Sequence, residues 1–144
     1  MGCLNSIRVL GLSAALAFAA SPVIKVDFDM SGRNSSEVTE PNYVPWVVSG
    51  VTSKDTTLSG VKVNVAGSAN LKANWYKAGV QSPSYARLVC DGVMVEGGGA
   101  ITLTFSNLAA GTHSLLLYLN NVDGTAASNS IDVYVNNSKQ ASVK

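Results

Sequence analysis

Residues 71–91 read L-K-A-N-W-Y-K-A-G-V-Q-S-P-S-Y-A-R-L-V-C-D, and the fold turns on how they are parsed. Leu71, Ala73 and Trp75 alternate with Lys72, Asn74 and Tyr76, the period of two that a half-buried strand imposes. Gly79 and Pro83 break that period and mark a loop. Tyr85 and Arg87 then resume it, opposite in phase to Ala86, Leu88 and Cys90. The parsing predicts two strands framing a loop whose rim carries aromatic rings, an amide and a guanidinium.

Working outward, the same alternation recurs. Ile24, Val26 and Phe28 alternate with Lys25, Asp27 and Asp29, so the apolar set should face inward and the charged set solvent. Met30 to Pro41 is polar and reads as a loop. Asn42 to Val48 reads as an irregular entry into a short strand, and Val51 to Ser59 as a Thr/Ser-rich loop with a strand start. Val61, Val63 and Val65 predict a strand closed by Gly67-Ser68. Leu88 to Glu96 and Ala100 to Phe105, parted by Gly97-Gly98-Gly99, predict a hairpin. His113 to Asn120 is apolar enough to predict a strand buried on both faces. Ile131 to Asn136 closes the series. About eight short strands without an amphipathic helix predict an all-β fold, an antiparallel β-sandwich.

The chain has 144 residues and a formal net charge of +1, enough for one domain with a real core. Arg8 followed by the apolar run Val9 to Ala20, with the small-x-small exit Ala17-Phe18-Ala19, predicts a secretory signal over 1–19 and a mature module over 20–144. That run is shorter than the roughly 20 apolar residues of a membrane span. Met1-Gly2-Cys3-Leu4-Asn5-Ser6 also fits an acylation pattern on Gly2 and Cys3, the competing reading of the N-terminus. With Arg8 removed, basic and acidic groups balance, and no basic patch exists for nucleic acid. Of the two cysteines only Cys90 stays in the mature chain, so no disulfide framework is expected. Asn34-Ser35-Ser36 and Asn136-Asn137-Ser138 are glycosylation sequons.

Flat aromatic faces beside a few hydrogen-bonding groups are what a sugar ring requires. Asn74, Trp75, Tyr76, Tyr85, Arg87, Asn120 and Asp123 are therefore the candidate carbohydrate-binding residues, with Tyr76 and Tyr85 as stacking platforms. Trp75 shares its phase with Leu71 and Ala73, which equally predicts a core position. No cofactor is expected. Structural calcium on Asp27, Asp29, Asp123 and Asp132 stays open, since calcium takes oxygen ligands in irregular loops, but no EF-hand pattern is present. One histidine and one mature cysteine do not make a zinc site. His113 after Gly111-Thr112 reads as a turn residue, and no hydrolase or metalloprotease signature appears.

Four pieces, in order, carry a family resemblance: Ile24-Lys25-Val26-Asp27-Phe28-Asp29; Glu40-Pro41-Asn42-Tyr43 leading to Trp46; Ile101-Thr102-Leu103-Thr104 leading to Ala109-Ala110-Gly111-Thr112-His113-Ser114-Leu115; and Ile131-Asp132-Val133-Tyr134-Val135-Asn136. Together they resemble the malectin-like and galactose-binding-like jelly-roll modules of secreted carbohydrate-active enzymes. The resemblance implies a calcium-tolerant jelly-roll that binds glycans through its loops or a concave face. The chain departs from that pattern at Asp29, where a glycine is usual, and in stopping just past Asn136, which reads as a C-terminal truncation. The expectation is a secreted, non-catalytic module that binds an extracellular polysaccharide or oligosaccharide, with neither nucleic acid nor membrane as partner. The alternative is a structural or protein-interaction lobe attached to, or working beside, a polysaccharide lyase or glycoside hydrolase.

Overall fold

A computed structural model describes residues 22–75, 86–95, 99–119 and 130–143. The described chain is mostly β-strand, in largely antiparallel sheets, as an all-β fold requires. Its elements are β1 (Val26–Asp27), α1 (Ser35–Val38), β2 (Val44–Pro45), β3 (Val51–Leu58), β4 (Val61–Trp75), α2 (Ala86–Cys90), β5 (Asp91–Val95), β6 (Ile101–Ser106), β7 (Ile131–Val135) and β8 (Ser138–Val143). No described helix is long and apolar enough to cross a membrane.

The long strand β4 is the spine. β3 folds back on it through Ser59-Gly60, where Leu58 opposes Val61 and both turn residues have positive φ, 50° and 82°. Two left-handed residues in a two-residue loop are the type I′ geometry that matches strand twist. The stretch 51–58, read as a loop with a strand start, is therefore a full strand.

β4 does not end at Gly67-Ser68 as the glycine implied. It continues to Trp75, with a register shift opposite Val51 and Ser53. The glycine serves close packing: a Cβ on Gly67 would lie 2.8 Å from Leu71 Cδ2 and 2.9 Å from Val95 Cγ2.

The expected hairpin at Gly97-Gly98-Gly99 does not form. Leu71 pairs with Val51 on one side and Val95 on the other, while Val63 pairs with Thr56 and Phe105. β5 and β6 thus lie end to end along the same edge of β4, opposite β3. Between the paired positions Leu71–Val95 and Gly67–Ile101 the sequence runs seven residues, 95–101, against five on β4, 67–71.

One face of this sheet is apolar. Val61, Val63, Val65 and Leu71 are buried, and Val93, Val95, Leu103 and Phe105 extend the surface. Residues 24–28 and 46–48 lie across it and contribute Ile24, Val26, Phe28, Trp46 and Val48 to the core. Trp46 and Phe28 stack with ring centroids 5.4 Å apart. β1 and β2 run parallel within this cover.

Three further expectations are corrected. Residues 30–41 hold α1, whose N-cap Asn34 accepts the Ser36 N–H at 3.0 Å through Oδ1. Arg87, Leu88 and Cys90 lie on the helix α2 rather than on a strand. Residues 113–119 form no strand and are exposed, with Leu115 at 58% and Leu116 at 75%. The last strand is half of a hairpin: Asn136 and Asn137, at φ 48° and 64°, form a second left-handed two-residue turn into β8.

Candidate functional site

The 24–29 stretch holds the largest departure from alternation. Asp27 is 1% exposed and Asp29 is 3% exposed, although their parity marked them for solvent. The cause is that both faces of the segment are covered. Val26 and Phe28 meet the core, while the acidic face meets α1, α2 and the start of β5. α1 and α2 pack beside one another, and α2 packs on β5.

A third carboxylate joins from far along the chain. Asp91 opens β5 opposite Trp75. Asp27, Asp29 and Asp91 each present an oxygen within 4.8 Å of the others. The backbone N–H of Glu40 donates to Asp27 Oδ2 at 2.7 Å, that of Met30 donates to Asp91 Oδ2 at 3.0 Å, and the Thr39 hydroxyl donates to Asp29 Oδ2 at 2.5 Å. Asp29 Oδ1 and Asp91 Oδ1 are buried and have no hydrogen-bond partner among the described residues.

Burial dominates the electrostatics of this cluster. It pushes the Asp27 carboxyl up to about 6 and that of Asp91 up to about 7, with the neighbouring carboxylates adding to the rise and the backbone donors opposing it. Asp29 is also raised by burial, against the Thr39 hydrogen bond. Burial, then Asp91 and Asp27, push the Cys90 thiol up, so it is no activated nucleophile. Its Sγ donates to Arg87 O at 3.1 Å.

Cations and an indole line the neighbouring ground. The Arg33 guanidinium lies over the Trp75 ring, 3.5 Å from its centroid. Arg87 Nη1 donates to Thr39 O at 3.4 Å, tying α2 to the residue that bonds Asp29. Asn74 Nδ2 donates to Met94 Sδ at 3.1 Å, and its Oδ1 accepts the Trp75 N–H at 3.1 Å. Of the residues expected to bind sugar, Asn74, Trp75 and Arg87 thus come to one end of the sheet, with Trp75 half-buried. Tyr76, Tyr85, Asn120 and Asp123 lie outside the described residues. Arg33 was missed because it sits in a polar stretch without period.

Of the aspartates considered for calcium, Asp123 lies outside the described residues. Asp27 and Asp29 do come together, but their partner is Asp91. Asp132 sits on the β7–β8 hairpin, 2.8 Å from Lys139 Nζ and accepting the Ser142 hydroxyl. Those two hydrogen bonds, Lys139 first, hold its carboxyl below the usual carboxylate range. His113 Nε2 donates to Ala109 O at 2.9 Å, the local bond of a turn residue. A shallow hollow of about 280 Å³ lies elsewhere, between Ile24, Lys25, Asn42, Val44, Leu58 and Ser59, and touches none of the candidate residues.

Comparison with family models, with curated proteins and with solved structures finds no match.

Proposed function

We propose that this chain is a secreted, non-catalytic β-sandwich of jelly-roll type that binds an extracellular polysaccharide beside Trp75. The observation that carries the reading is the Arg33 guanidinium held over the Trp75 ring at 3.5 Å. The guanidinium lies against one face of the indole, and its planar fork of donors fits a carboxylate or paired hydroxyls of a sugar bound beside the ring. Asn74 and Arg87 add an amide and a second cation within the same end of the sheet. Tyr76 directly follows Trp75 in sequence and Tyr85 directly precedes α2, so the sequence puts two further aromatic residues next to the described ones. The layer formed by residues 24–28 and 46–48 over the apolar sheet face supports the sandwich, and the export signal and family resemblance support the setting.

Two arginines favour a uronate-bearing polymer over a neutral one. Titration calorimetry of the mature chain against polygalacturonate, alginate, xylan, galactan and β-glucan tests this. Binding to a polyuronate, weakened at least about tenfold by Trp75→Ala and by Arg33→Ala, is expected from the loss of about 1.4 kcal/mol or more. Silence across the panel sinks the reading.

The accessory-lobe reading has its own observation. Leu115, Leu116, Leu117, Tyr118 and Leu119 are all exposed in one run. A contiguous apolar stretch of that kind is what a protein partner covers. It is favoured if the calorimetry is silent and Leu116→Asp abolishes association with a co-secreted lyase or hydrolase.

A further inference from the structure

We propose that Asp27, Asp29 and Asp91 form a binding site for a hard divalent cation, calcium, that clamps the 27–29 segment to the start of β5. This site is separate from the saccharide reading and stands without it.

The donor set is the first argument. Three carboxylates present oxygens within 4.8 Å of one another, with neither thiol nor imidazole among them. Calcium takes oxygen ligands at about 2.3–2.6 Å, so two ligands of one ion lie up to roughly 5 Å apart, and the cluster has that breadth.

The second argument is independent of the clustering. Asp29 is 3% exposed, yet its Oδ1 has no hydrogen-bond partner among the described residues, and the buried Asp91 Oδ1 is in the same position. A buried acceptor without a partner is costly and rare, and a charged one more so. The hydrogen bonds that do exist all run toward the carboxylates, from Met30 N–H, Glu40 N–H and the Thr39 hydroxyl. Those donors hold one oxygen of each aspartate as an acceptor. A cation among the remaining oxygens supplies the missing partner and the opposite charge together.

The geometry also says what binding would accomplish. Met30 and Asp91 are 61 positions apart and already joined by one hydrogen bond. A shared ion adds a second crosslink between the N-terminal cover and β5, next to the Trp75–Asp91 pair.

The test uses the mature chain freed of metal with EDTA and then dialysed. Calcium chloride should raise Tm by about 5 °C or more once it exceeds its Kd a hundredfold. Terbium, a calcium surrogate, should give tryptophan-sensitised luminescence that calcium displaces. Asp29→Asn, which keeps the side-chain shape and removes one of three crowded charges, should abolish both responses while leaving the metal-free Tm equal or higher. Asp132→Asn, on the separate β7–β8 hairpin, should keep them. An unchanged Tm with calcium together with silent terbium overturns the proposal. So does a full response in both Asp29→Asn and Asp91→Asn, which would place the ion elsewhere.

Discussion

Trp75 and Asp91 face each other across the β4–β5 pair, so the last residue of β4 and the first of β5 meet at one place. The indole and the carboxylate at that place serve different neighbours. Trp75 carries the Arg33 guanidinium on its face, and Asp91 accepts the Met30 N–H and reaches Asp27 and Asp29. Residues 30–33, between those contacts, are thereby held at both ends against the β4–β5 terminus. Any ligand bound beside Trp75 would rest on ground set by the acidic cluster beneath it, and the metal-free protein should already show that cluster's strain.

The strain has a pH signature of unusual sign. Asp27 and Asp91 rise from the ordinary 3.8 to about 6 and about 7, chiefly through burial, and Asp29 rises as well. A carboxyl whose folded pKa is raised binds its proton more tightly in the native state. Its favourable contribution is complete below the unfolded value and is lost as pH climbs through the folded one. Metal-free protein should therefore lose stability between about pH 4 and pH 7, on the order of a few kcal/mol. Urea unfolding in EDTA at half-unit pH steps measures this. A flat or rising profile across that window would contradict the buried, crowded state of the three carboxylates.

Gly67 yields a packing prediction with an internal control. A Cβ there would sit 2.5 Å from Ala69 O as well as against Leu71 and Val95, so backbone as well as side chains must shift. Gly67→Ala should destabilise by about 1–3 kcal/mol, the usual cost of overpacking. Gly92 lies on β5 with nothing within 4 Å of its would-be Cβ, and Gly92→Ala should be nearly neutral. Equal effects at both positions, measured by the urea midpoint, would refute the close approach at the β4 irregularity.

How far the sequence carried can be seen in particular residues. Val61, Val63 and Val65 announce their strand because only one face of it is buried, and parity survives intact. The same rule failed at Asp27 and Asp29, since alternation reports which side meets the core but not what covers the other side. Asp91 could not be joined to them from sequence, because the contact is made by pairing β5 to the far end of β4. Gly97-Gly98-Gly99 fits a hairpin turn, and only the pairing of β5 and β6 to β4 shows that those two strands do not pair with each other. In Leu115 to Leu119 hydrophobicity stated a wish to be covered without naming the covering partner. Asn136-Asn137 was legible as a turn, since adjacent asparagines tolerate left-handed φ, yet the glycosylation pattern drew the reading instead.

The last prediction concerns Trp46, which closes the core from the cover side. It is 6% exposed and stacks on Phe28, so truncation removes a large buried face and leaves a cavity: Trp46→Ala should cost about 3–5 kcal/mol. Its indole Nε1, however, is buried without a hydrogen-bond partner among the described residues. Replacing the indole by a phenyl ring loses area but also removes an unsatisfied donor, whose burial costs about 1–3 kcal/mol. The two terms are of similar size and opposite sign. Trp46→Phe should therefore lie within about 1.5 kcal/mol of the native protein, the range of volume-tolerant core exchanges. Guanidinium unfolding of both variants decides the matter. If Trp46→Phe is as damaging as Trp46→Ala, the indole nitrogen has a partner after all, and the Phe28–Trp46 stack is not what holds the cover to the sheet.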